Sequence, residues 1–188
     1  VLAVRRLGFT YGGREPRNAL DVDLEVAGET VRVIVTHLGL WPAERRYQVK
    51  QILKLVRETP ICERVVVLGD INEWLPLGRP LRWMHALFGR SPAEWSFPSR
   101  WPIVALDRVW VRPRHALLAL KAHRSPLAQQ ASDHLPVKAL VSLGVTSSRQ
   151  VSASVMIWVV AVIRFIPIAS GSELQKVHHR TLSSPRRR

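Results

Sequence analysis

The chain has 188 residues and a mass of 21.3 kDa, which suits one domain of ordinary size. Hydrophobic residues at 47% and charged residues at 22% exclude a disordered or fibrous chain. The formal net charge of +14 favours anionic partners such as phosphates, nucleic acid or lipid headgroups, without choosing among them.

The sequence opens on Val1 rather than Met, and no signal peptide precedes the folded-looking part. Its first seven residues, VLAVRRL, already read as a strand, so the start of a larger domain is expected to be missing. Residues 20–26 alternate apolar and polar, as a half-buried strand does. Ala27-Gly28-Glu29 can turn the chain into a partner strand over 31–35. Pro42 suits the first turn of a helix, where its missing N–H costs nothing. Val49, Ile52, Leu53 and Val56 then give that helix one apolar face. Residues 64–68, RVVVL, form a short continuous apolar run, as in a central strand buried on both faces. Further strands are predicted over 106–111 and 138–143. Strands and helices alternate, which makes the class α/β or mixed α+β.

Composition shifts at Gly144, where a boundary is placed between a domain over 1–143 and a basic, partly apolar tail over 144–188. The first part carries 21 basic and 13 acidic side chains, the second 7 and 1. Residues 155–169 are apolar except for Arg164, with Pro167 near the end. That run is shorter than the roughly 20 residues a spanning helix needs, and a mid-run arginine costs about 2.5–3.5 kcal/mol on insertion. Three readings stay open for it: an amphipathic or buried helix, a marginal membrane segment, or sequence without selected structure. Cys62, the single cysteine, excludes a disulfide scaffold and a Cys-based zinc site, and reads as inert. His178-His179 has no carboxylate companions and reads as exposed tail.

Residues of catalytic type sit at the ends of the apolar runs: Thr36-His37, Gly69-Asp70-Ile71-Asn72, Asp107 and Ser132-Asp133-His134. Side chains at strand ends can converge on one rim of a sheet, where crevices form. Two His, three Asp and one Asn suit hydrolysis with a hard divalent cation, since carboxylate and amide oxygens bind Mg²⁺ and imidazole moves protons near neutral pH. Each piece has a plainer reading. A strand-end His can be a hydrogen-bonded structural residue, Gly-Asp-x-Asn is a good turn, Asp107-Arg108 could be a surface ion pair, and Asp133 could turn the chain into a strand. Their joint occurrence carries the inference.

That joint pattern resembles the endonuclease/exonuclease/phosphatase superfamily, with its deoxyribonuclease I-like fold. The matching stretches are Thr36-His37-Leu38-Gly39-Leu40, Arg45 with Gln48, residues 67–74 (VLGDINEW), Phe97-Pro98-Ser99, Leu106-Asp107-Arg108-Val109 and residues 132–136 (SDHLP). Glu73-Trp74 and the 36–40 stretch look most like a bacterial subgroup found with cardiolipin synthases. The resemblance covers roughly residues 1–143. It implies a four-layer αββα sandwich, here truncated at its N-terminus, and in-line attack of water on phosphorus, where the protein positions and neutralises charge. By resemblance, Asp70 orients or deprotonates the water, and Asn72 donates to a phosphoryl oxygen, which an ionised carboxylate cannot do. His134 contacts the phosphate, Asp107 fixes a histidine tautomer, and His37 stabilises the leaving group. Asp133, with Asp70 and Asn72, is expected near Mg²⁺ (or Mn²⁺), which would act as a Lewis acid.

One departure is serious. The family's first half, with an Asn on the first strand and a Glu as principal metal ligand, has no match before His37. Glu15 and Asn18 lie in a loop-like stretch and are not promoted to those roles. A halved sandwich would expose an apolar face, and the chain alone is expected to be weakly active or inactive. The function implied is hydrolysis of phosphate esters, with nucleic acid, phospholipid or sugar phosphate as substrate. The alternative is a non-catalytic remnant that binds anionic partners, associated with a membrane through its tail. A cytoplasmic or membrane-associated location fits either. Trp74, Trp83, Trp95, Trp101 and Trp110 could stack on bases but are assigned to core or rim. Arg79, Arg82, Arg90 and Arg100 read equally as substrate steering or as a solvated basic face.

Overall fold

The computed structural model describes residues 1–58, 64–145 and 152–159. Cys62, His178-His179 and residues 160–169 lie outside them. Five strands form one sheet: β1 (Ala3–Gly8), β2 (Asn18–Val26), β3 (Glu29–His37), β4 (Arg64–Asp70) and β5 (Asp107–Arg112), in that spatial order. Neighbours run antiparallel except β3 and β4, which are parallel and joined across helix α1 (Pro42–Glu58). The β2–β3 hairpin turns at Ala27 and Gly28, both at positive φ (54° and 81°), the backbone of a tight two-residue turn that matches strand twist.

A second sheet holds β6 (Leu117–Ala122), β7 (Val137–Val145) and β8 (Ser152–Val159), all antiparallel. Helix α3 (Pro126–Ala131) lies between β6 and β7 and is capped by the Ser125 hydroxyl, which accepts from the Ala128 N–H at 3.1 Å. The described start of the apolar 155–169 run is thus strand, not helix; its backbone pairs with β7. No helix among the described residues is long and apolar enough to cross a membrane.

The period-2 pattern of β4 explains the layering. Val65 and Val67 face Val49, Ile52, Leu53 and Val56 of α1, while Val66 and Leu68 face Val137, Ala139 and Val141 of the second sheet. All four β4 side chains are buried, as expected for a central strand. Helix α2 (Arg79–Phe88) joins α1 on the outer face through Leu81, Met84 and Phe88 and stops at Gly89 (φ 80°). This helix was not anticipated from the sequence, although the i, i+3, i+7 spacing and the terminal glycine mark it.

The three-stranded sheet does not cover its five-stranded partner fully. Val35, Leu20 and Val4 project from the same face as Val33, yet are 38%, 38% and 56% exposed. An uncovered apolar strip is what the sequence led us to expect. On the opposite face of the same strands, Asp21 is fully buried and takes two 2.8 Å bonds from Arg32 and one from Arg5, which also grips Asp23. Burial pushes the Asp21 carboxyl up, but the Arg32 and Arg5 hydrogen bonds outweigh it and hold the group below its ordinary range.

Asp21→Ala strands a buried arginine and should cost about 3–5 kcal/mol of stability at pH 7 in urea unfolding. The penalty should shrink as pH falls below the usual carboxylate range, because the native ion pair is itself lost when Asp21 protonates.

Candidate active site

Strand register builds the site. In the hydrogen-bonded ladder, Asp70 is the Cα partner of both His37 on β3 and Asp107 on β5, so three adjacent strands end in one row. Gly69 makes this possible: it has φ 139°, and a Cβ there would collide with the Thr36 carbonyl. After Asp70 the chain turns sharply. Asn72 has φ 51°, a left-handed conformation that Asn tolerates, and its N–H donates to Asp70 Oδ1 at 2.8 Å.

His134 arrives from the second sheet, on the loop between α3 and β7. Its Nδ1 lies 2.7 Å from Asp107 Oδ2, which also accepts from the Ser96 hydroxyl at 2.5 Å. The Leu135 N–H donates to the Ser96 carbonyl at 2.7 Å and fixes the loop. The other nitrogen, Nε2, is 3.8 Å from Asp70 Oδ2, and His37 Nε2 approaches the same oxygen from the opposite side at 3.5 Å. Asp70 Oδ2 therefore sits between two imidazoles. Phe97 packs against His134 at 4.8 Å between ring centres, and Trp74 stands edge-on to Phe97.

The electrostatics differentiate the two histidines. Burial, the Arg17 guanidinium and His134 push His37 down to about 4. Arg17 Nη1 lies 3.1 Å from His37 Nδ1 and 3.4 Å from Nε2. A guanidinium only donates, so this contact requires a neutral ring. Burial also disfavours the charged form of His134, but the Asp107 hydrogen bond and the nearby carboxylates outweigh it and raise its pKa. Burial, then repulsion from Asp107, pushes Asp70 up to about 6.

The Arg45, Gln48 and Glu73 motif residues act as a clamp on the 38–41 segment. Arg45 donates to the Leu40 carbonyl and, through Nε at 3.4 Å, to Glu73. Gln48 Oε1 accepts from the Gly39 N–H at 2.8 Å, and its amide donates to the Phe9 carbonyl and Glu44. Asn72 belongs to the same lock, since one amide hydrogen goes to the Leu38 carbonyl at 2.8 Å. Its second hydrogen remains for a ligand.

Of the sequence-predicted set, His37, Asp70, Asn72, Asp107 and His134 come together. Asp107 and Arg108 are both buried, so neither forms a surface pair; Arg108 donates to the Ala105 carbonyl at 3.1 Å. Asp133 is exposed, and its carboxylate accepts from the Ser132 hydroxyl at 3.3 Å. Trp110 is core and Trp83 packs against that core, while Trp74, Trp95 and Trp101 are exposed, Trp74 at the rim of the site against Phe97. Arg79, Arg82, Arg90 and Arg100 are all exposed. Ser96 and Arg17 escaped the sequence reading. Ser96 directly precedes the Phe97-Pro98-Ser99 motif, which is the one available hint; Arg17 lies in an Arg/Gly/Pro loop with no distinguishing pattern.

The donor set fits Mg²⁺ only in part. Asp70 Oδ2 and the buried, partnerless Asp107 Oδ1 are hard oxygen donors. Among the described residues, however, no three His, Cys, Asp or Glu side chains gather to hold a metal ion. The described residues do not complete a metal site.

Two packed sheets, helices on the outer face of the larger one, and a His/Asp/Asn cleft at the strand ends define an α/β sandwich with a polar site on its rim. The chain matches the Endonuclease/Exonuclease/phosphatase family over residues 3–134 and belongs to that family. It is 33% identical over 129 residues to the uncharacterized protein YbhP of Escherichia coli (strain K12), covering 63% of this chain and 49% of the relative. The chain thus spans about half the length of the curated relatives it matches. Among solved structures, an endonuclease/exonuclease/phosphatase from Bacteroides vulgatus superposes with a TM-score of 0.61 at 18% identity, covering 74% of this chain and 64% of that one. A mannosyl-6-phosphatase from Bacteroides thetaiotaomicron gives 0.52 at 13% identity, over 73% and 64%. Both likenesses concern the fold.

Asp70→Asn keeps the shape and removes a buried charge. A raised native pKa means that ionised Asp70 opposes folding above about pH 6. The variant should therefore be more stable than the parent at pH 8, by on the order of 2 kcal/mol. That gain should vanish below pH 4; parallel denaturation curves at the two pH values check it.

Proposed function

We propose that this chain carries the catalytic cleft of a hydrolase of phosphate esters. The observation that supports it best is one ionisable carboxylate oxygen, Asp70 Oδ2, flanked by the Nε2 atoms of His37 and His134. In this reading a water attacks phosphorus while Asp70 accepts its proton, and the bond to the leaving oxygen breaks. His134, held protonated by Asp107, donates from Nε2 to a phosphoryl oxygen, and Asn72 adds its second amide hydrogen. Neutral His37 donates a hydrogen bond to the leaving oxygen, which takes its proton from solvent. Ser96 and Asp107 position the His134 ring.

Mg²⁺ or Mn²⁺ belongs to the proposal for the whole protein, where it would act as a Lewis acid. At least one further acidic ligand beyond the described residues is required, in keeping with the Glu that the family resemblance places on its first half. We therefore expect low turnover from this chain alone. Substrate class within phosphodiesters and phosphomonoesters stays with the proposal, as do nucleic-acid and phospholipid substrates.

The test is phosphodiesterase turnover with Mg²⁺ or Mn²⁺, for this chain and for a longer protein that includes the preceding sequence. In the active form, Asp70→Asn and His134→Ala should each lower kcat by about 10²–10⁴-fold. The rate should rise through pH 6 as Asp70 ionises and fall at higher pH as His134 loses its proton. Full activity in Asp70→Asn would overturn the reading.

A further inference from the structure

Arg17 reaches His37 from a cavity of about 180 Å³ that the proposed chemistry leaves unused. The cavity is lined by Arg14, Glu15, Arg17, Leu40, Trp41 and Glu44. Its position is fixed by the site, because Leu40 and Trp41 follow His37 on the segment clamped by Arg45 and Gln48. Arg17 is the unusual member. Its side chain is only 14% exposed, Nη1 contacts His37, Nη2 donates to Glu15 at 2.7 Å, and the buried Nε has no hydrogen-bond partner. A buried guanidinium with an uncommitted donor is costly unless an acceptor is supplied. Among the described residues the carboxylate that meets it, Glu15, is 41% exposed. Glu44 faces the cavity but accepts from the Gln48 amide.

Arg14 adds the second cation. Its guanidinium lies over the Trp41 ring at 4.7 Å, a cation–π contact that holds it at the cavity. Two forked guanidinia at one cavity match the geometry of a phosphate. We propose that this cavity is a second anion subsite, which receives a phosphate neighbouring the one held between His37 and His134, and that Glu15 occupies Arg17 until that phosphate displaces it. The inference rests on the proposed function and narrows it to substrates that carry two phosphate groups close together. The two phosphates can come from a nucleotide backbone or from a glycerol-based lipid headgroup.

The test is calorimetric binding to the full chain of two ligand pairs. One is a nucleoside 5′-monophosphate against a nucleoside 3′,5′-bisphosphate; the other is glycerol 3-phosphate against glycerol bisphosphate. At least one bisphosphate should bind about tenfold tighter than its monophosphate, and the scaffold that shows the preference identifies the source. Arg14→Gln should abolish most of that preference while leaving monophosphate binding, and Arg17→Gln, which also removes the contact on His37, should lower the ratio of bisphosphate to monophosphate affinity by the same factor. Arg14 is exposed, so its variant threatens the fold little. Glu15→Gln should strengthen bisphosphate binding, a gain that misfolding cannot mimic. Arg90→Gln, which removes an exposed charge outside the cavity, should change nothing. Equal binding within each pair, or a preference that survives both arginine variants, overturns the subsite. Monophosphate binding that is absent or indifferent to His134→Ala overturns the proposed function and, with it, this inference.

Discussion

The structure depends on one constraint: the ladder register that brings the ends of β3, β4 and β5 level. Slipping β4 by a single residue would turn Asp70 to the opposite face of the sheet and Ile71 into its place. Register is held on both faces, by Val65 and Val67 against the helices and by Val66 and Leu68 against the second sheet. The close approach of Gly69 to the Thr36 carbonyl secures it at the critical end. Core packing therefore determines where the carboxylates stand, and the second sheet contributes the histidine that answers them.

Given that placement, environment divides the work. His37 and His134 are the same side chain on either side of one carboxylate, yet one is held neutral and the other is favoured charged. The difference lies in their outer partners, a guanidinium behind His37 and a carboxylate behind His134. Groups whose protonation is pushed apart in this way are the usual basis for assigning distinct roles in acid–base chemistry. The same logic makes Arg17 more than a neighbour, because it adds to burial in holding His37 neutral while facing a cavity of its own.

Much of this was legible in the sequence because chemistry and strand ends coincide there. Thr36-His37, Gly69-Asp70-Ile71-Asn72, Asp107 and His134 each terminate or precede an apolar run, and the runs became strands nearly as drawn. The pairing of Asp107 with His134 was not legible, since 27 residues and two sheets separate them and only packing decides which carboxylate meets which ring. Ser96 and Arg17 were missed for the same reason: each matters through one long-range contact and has no local signature. Which tryptophans would be core and which rim was also hidden, because residue type reports the value of burial and not whether a covering surface exists. Asp133 keeps its carboxylate in solvent, yet its charge favours the protonated form of both His37 and His134.

The most direct test of the account is a crystal structure of the protein with bound inorganic phosphate or a non-hydrolysable phosphodiester analogue. The account requires the phosphorus in the cleft between His37 and His134, with a phosphoryl oxygen within hydrogen-bond reach of His134 Nε2 and the Asn72 amide, and with Asp107 still on Nδ1. A phosphate bound elsewhere while that cleft is closed by protein side chains, or a His134 ring turned away from Asp107, would contradict it.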